Sequence, residues 1–159
     1  MKQDLFYDAP RERVYAMLTD PSFREEVCDA QHVLRRTVKV APHEGDRDGA
    51  DVEIERVQPI TGVPAVARGF VGAEITIRQT ETWSSPSRAD LVLSIPGKPG
   101  EMRGTVTLEQ DGDGTVETVD AEVQVTLPLV GGKLEKLIVD TVRNALDVEH
   151  EVGSRRLSG

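Results

Sequence analysis

The stretch 128–157, "PLVGGKLEKLIVDTVRNALDVEHEVGSRRL", is the feature that most limits what this chain can fold into. Leu134, Ile138, Thr141, Ala145, Val148 and Val152 recur there at four-three spacing, and Leu137, Val142 and Leu146 widen the stripe. That is one long amphipathic helix. Between residues 32 and 127 the apolar residues mostly recur at every second position instead, the period of strands. A sheet built from those strands must cover one face, and one C-terminal helix is the main element available to cover it.

The remaining elements follow from local signals. "KQDLFYD" reads as a short first strand. Pro10 suits the first turn of a helix that places Val14, Met17 and Leu18 together. Asp20 caps a second helix through about Asp29, with Phe23 and Val27 on one face. "HVLRRTVKVA" and "DVEIERV" are strands joined by the turn-rich "HEGDRDGA". Pro64, Val66, Ala67 and Phe70 predict one or two turns of helix ended by Gly72, with Phe70 a candidate flap or core plug. Strands follow at 73–83, about 88–95, about 102–110 and 115–127, separated by "SSPS", "PGKPGE" and "DGDG". The expected fold is α+β: a curled antiparallel sheet of about seven strands gripping the C-terminal helix, with two short helices after strand 1. Residues 1–159 are expected to form one domain, a length that buries a real core.

One strand face raises a functional question. In "IRQTETW", Ile75, Ile77, Gln79, Glu81 and Trp83 share a face, and Glu74, Thr76, Arg78, Thr80 and Thr82 share the other. The first face is in phase with the core yet holds an amide and a carboxylate. A buried carboxylate needs a partner. Arg36, in phase with Leu34, Val38 and Val40, is the expected partner, because its planar fork matches a carboxylate. Two readings stand: a polar end to an otherwise apolar pocket, or a bulge that turns these groups to water.

The opening "DAPRERVYAMLTDPSF" and the element order resemble the START-like, or helix-grip, superfamily of lipid-transfer domains, pollen-allergen proteins and polyketide cyclases. "QTETW", "PGKPGEMRGTVTLEQDGDGT" and "LPLVGGKLEKLI" resemble, more narrowly, a branch of unknown function common in high-GC bacteria. The resemblance implies the fold for nearly the whole chain. That branch supplies no catalytic residues to transfer.

Other chemistries are poorly supported. A net charge of −9 argues against nucleic acid and anionic lipid surfaces. The single Cys28 excludes an internal disulfide and a Cys₂ zinc site. His32, His43 and His150 show no metal-ligand spacing. Asp111, Asp113, Thr115 and Glu122 match positions of a calcium loop, but Val116 stands where its sharp turn needs glycine, so a hairpin is expected. There is no phosphate loop and no nucleophile elbow. "MKQDLFYDAPRER" has no apolar core of a signal peptide and no run approaches the ~18 residues of a membrane span, so a cytoplasmic address is expected.

The chain is therefore expected to bind a small hydrophobic or amphipathic molecule, without a cofactor, in a cavity of roughly 300 Å³ or more. The candidate lining is Leu34, Arg36, Ile77, Gln79, Glu81, Trp83, Met102, Leu134, Ile138 and Val142. Two alternatives stay open. One is a cyclase or dehydratase in which Glu81 or His32 moves a proton and Arg36 polarises a carbonyl. The other is a protein-interaction module with an exposed apolar patch and no usable cavity.

Overall fold

A computed structural model of the protein describes residues 1–159 apart from 46, 47, 61–64, 66–68, 70, 71, 128 and 130. Strand β1 (Lys2–Tyr7) leads into helices α1 (Arg11–Leu18) and α2 (Pro21–Ala30). Six strands follow: β2 (Arg35–Pro42), β3 (Ala50–Pro59), β4 (Glu74–Ser85), β5 (Arg88–Ser94), β6 (Glu101–Asp111) and β7 (Gly114–Gln124). The chain ends in α3 (Gly131–Ser158). Pro64, Val66, Ala67 and Phe70 lie outside the described residues, so the short helix expected there has no structural account. Among the described residues no helix is long and apolar enough to cross a membrane.

All seven strands form one antiparallel sheet in the order β1-β7-β6-β5-β4-β3-β2. β1 pairs with the last strand, so α1 and α2 carry the chain from one edge of the sheet to the other. Pro10 takes the N-cap of α1, one position earlier than expected. Asp20 caps α2 as expected, accepting from the Ser22 N–H at 2.9 Å, with Pro21 at the first helical position.

The register assembles a single concave face, because residues opposite one another in an antiparallel pair share a face. Val52, Ile54 and Arg56 of β3 stand opposite Glu81, Gln79 and Ile77 of β4. Glu81 and Gln79 stand in turn opposite Leu91 and Leu93, and these opposite Gly104 and Met102. The β4 bulge falls between Trp83 and Ser85, beyond the polar pair, so Gln79 and Glu81 keep their inward phase. Gly104 serves the curl of the sheet. A Cβ there would lie 2.0 Å from the Asp120 carbonyl oxygen and 2.5 Å from the Ala121 Cα, so only glycine permits that approach.

α3 lies across the concave face, and its two halves are packed differently. Glu149, Val152 and Gly153 are buried against β1, β7 and the α1–α2 pair. A Cβ at Gly153 would come within 2.9 Å of the Tyr7 ring and the Met17 methyl. That close seat joins α3 to the main core of Tyr7, Val14, Leu18, Phe23, Trp83 and Val152. In the N-terminal half only Leu134 is buried, in a small separate cluster with Val125.

Candidate functional site

Between the N-terminal half of α3 and strands β3 to β6 lies a cavity of about 230 Å³. Its walls include Ile75 and Ile77 from β4, Leu93 from β5, Met102 from β6, and Leu134, Leu137, Ile138 and Val142 from α3. The alternation of β4 and the stripe of α3 aim these side chains at one another. The volume falls short of the roughly 300 Å³ expected for a drug-sized site. It exceeds the ~150 Å³ that suffices for benzene, so it suits a small ring system or a short aliphatic chain.

Deeper in the interior the lining turns polar. Arg24 of α2 is completely enclosed, and its guanidinium organises the centre. Nη2 donates to Glu81 Oε2 at 2.7 Å, Nη1 to Glu149 Oε2 at 3.1 Å, and Nε to the Leu18 carbonyl at 2.7 Å. Glu81 also accepts from Gln79 Nε2 at 2.7 Å and from the Trp83 indole N–H at 2.9 Å. This answers how a carboxylate can sit inside: it has a buried cation and two further donors. Burial alone would lower the affinity of Arg24 for its proton, and Glu81 and Glu149 more than reverse that.

Arg56 of β3 is a second buried guanidinium. Its Nη1 donates to Gln79 Oε1 at 3.0 Å, and its Nε has no hydrogen-bond partner. Burial pushes its pKa down, although an arginine stays charged at any physiological pH. Glu117 of β7 is buried with one oxygen, Oε2, unpartnered. Burial first, and then the charge of Glu149, push the Glu117 carboxyl up to about 8. Burial likewise raises Glu149, opposed by Arg24. The buried set thus has the cations Arg24 and Arg56 and the acids Glu81, Glu117 and Glu149. Glu117 is therefore protonated at neutral pH. The Tyr7 phenol, raised by burial and by Glu117 and Glu149, is near enough to Glu117 to influence it, yet its hydroxyl completes no hydrogen bond of good geometry.

Arg56, Gln79, Glu81, Glu117 and Glu149 surround a void of about 30 Å³, the volume of one water molecule. Leu93, Met102 and Val142 line both this chamber and the apolar cavity. The polar chamber is therefore the inner neighbour of the greasy space.

Of the residues singled out in the sequence, Ile77, Met102, Leu134, Ile138 and Val142 line the cavity, and Gln79 and Glu81 line the chamber. Three expectations need correction. Leu34 precedes β2 and is exposed. Arg36 does not meet Glu81: it lies on the edge strand, opposite Arg56, where Glu25 and Asp29 of α2 take its guanidinium. Trp83 is fully buried but lines neither space; it packs edge-on to Tyr15 at 5.4 Å between ring centroids. His32 sits exposed in a left-handed turn (φ 55°), away from the inward face. His150 of α3 packs at a tilt against Tyr7, 4.9 Å between ring centroids, and bonds the Phe6 carbonyl.

Arg24, Arg56, Glu117 and Glu149 were not singled out in the sequence. The signal was present. Arg56 alternates with Val52 and Ile54, and Glu117 with Val119 and Ala121. Arg24 lies one turn before Cys28, and Glu149 one turn before Val152. Each is a charge in phase with an apolar face, as Glu81 is.

A curled sheet gripping one long helix over a cavity is the START-like, helix-grip fold. A START superfamily protein from Mycobacterium smegmatis shares the fold at a TM-score of 0.60, with 15% identity over 99% of this chain and 96% of that one. A Thermus thermophilus protein of known crystal structure does so at 0.64, with 19% identity over 99% and 95%. The chain belongs to DUF2505, a family of proteins of unknown function, whose sequence model matches residues 3–157. An uncharacterized protein of Mycobacterium tuberculosis is 26% identical over 121 residues, 71% of this chain and 68% of that protein.

Proposed function

We propose that residues 1–159 act as one domain that binds a small hydrophobic or amphipathic molecule between the sheet and the N-terminal half of α3. The observation that supports this most is the 230 Å³ apolar cavity itself. The START-like fold supports the same reading, because its concave sheet and long helix meet over a cavity at this place.

The enzymatic alternative relied on Arg36 working with Glu81 or His32. Those three groups do not share a point, so that set of residues is withdrawn. The interaction-module alternative called for an exposed apolar patch and no cavity. Among the described residues the large exposed apolar side chains are Phe6, Leu34 and Leu129, and single exposed residues of that kind are ordinary on a monomer's surface.

Native mass spectrometry of gently purified protein tests the proposal. The expected result is a reproducible added mass of a small apolar compound, lost from an Ile138→Trp variant that fills the cavity. Bare protein, joined by no saturable binding of any apolar probe, would contradict it.

A further inference from the structure

The polar chamber carries a statement about ligand chemistry that the apolar cavity does not. Arg56 is 7% exposed and Glu117 2% exposed, and both line the same 30 Å³ void. Arg56 presents a donor, Nε–H, without an acceptor, and Glu117 presents Oε2 without a partner. One water molecule meets both needs in the free protein, and a hydroxyl is the smallest ligand group that can replace it in either protonation state of Glu117.

We propose that the ligand is a neutral alcohol or phenol whose hydroxyl enters the chamber between Arg56 and Glu117 while its apolar body fills the cavity. This rests on the ligand-binding reading above and narrows it. The two spaces meet at Leu93, Met102 and Val142, and an unbranched methionine is the most easily displaced kind of core side chain. A carboxylate head fits less well. Its charge would be drawn to Arg56 but would also face Glu81 and Glu149 in a site of low dielectric. The void also has room for one oxygen-sized group rather than two. A purely apolar end would leave the Arg56 N–H and Glu117 as they are.

The test compares 1-octanol, octyl methyl ether and octanoate by calorimetric titration of the full chain at pH 9, where Glu117 is ionised and accepts from a hydroxyl but not from an ether. Octanol is expected to bind at least about tenfold tighter than either, the discrimination a buried polar site exerts against a ligand lacking its hydroxyl. Glu117→Leu is expected to abolish the octanol-over-ether preference, because an ether oxygen accepts from the Arg56 Nε–H as a hydroxyl does and lacks only the donation to Glu117. Because that variant alters a buried group, a second readout uses the unaltered protein: the Arg56 Nε–H resonance shifts with octanol and stays in place with n-octane, which has no acceptor. Equal affinity for octanol and ether, or tighter binding of octanoate, overturns the hydroxyl assignment and leaves the cavity reading standing. Failure of all three to bind overturns both.

Discussion

The two halves of α3 do opposite things with the same sheet. The C-terminal half is seated: Gly153 lies against Tyr7 and Met17, and Glu149 is tied through Arg24 to Glu81 across the core. The N-terminal half stands off, leaving 230 Å³ between Ile138, Val142 and strands β3 to β6. One end fixes the geometry of the fold, and under the proposed function the other keeps space for a ligand. Stability is thus concentrated in the seated half, and the apolar part of the proposed binding in the open one.

The largest expected effect attacks the seated half. Arg24→Met leaves Glu81 and Glu149 buried without their cation, at a cost of about 3–5 kcal/mol. Urea denaturation checks this; a loss below about 1 kcal/mol would mean the cluster behaves like a surface pair. Gly153→Val should cost about 1–3 kcal/mol by overpacking against Tyr7 and Met17. If α3 lifts freely there, the same denaturation experiment will show almost no change.

Glu117 gives the comparison a pH dependence. Its folded pKa, about 8, lies above the ordinary carboxyl value of 4.5. Between those values the folded state binds more protons than the unfolded one, so this group's contribution to stability is full below about 4.5 and falls as pH rises through about 8. Glu117→Gln should remove that part of the slope, so its stability relative to the parent rises from pH 5 to pH 9. Parallel curves for the two proteins would show that Glu117 does not titrate in this window. The smallest stability effect belongs to the open half. Ile138→Trp should move stability by no more than about 1 kcal/mol, because the cavity accepts the added volume, while ligand affinity drops at least tenfold.

Much of the fold was legible because two periods differ so sharply along the chain. Val52 and Ile54, then Leu91 and Leu93, alternate as strands, whereas Leu134, Ile138 and Val142 recur as a helix. The inward phase of Gln79 and Glu81 was legible for the same reason. Their partner was not. Arg36 and Arg24 are both arginines near Val or Phe, and phase alone favoured Arg36. What separates them is tertiary: β2 is an edge strand, so Glu25 and Asp29 of α2 capture Arg36 at the rim, whereas α2 turns Arg24 to the centre. Glu117 and Glu149 were missed because a lone charge in an apolar stripe reads as an interruption until three such charges are seen to converge.

Methyl NMR of the protein titrated with 1-octanol tests the central claim most directly. The account predicts that the methyl signals of Ile77, Met102, Ile138 and Val142 shift saturably, while those of Val14, Leu18 and Val152 in the seated half stay in place. Shifts confined to the seated half or the surface, or none at all, would contradict it.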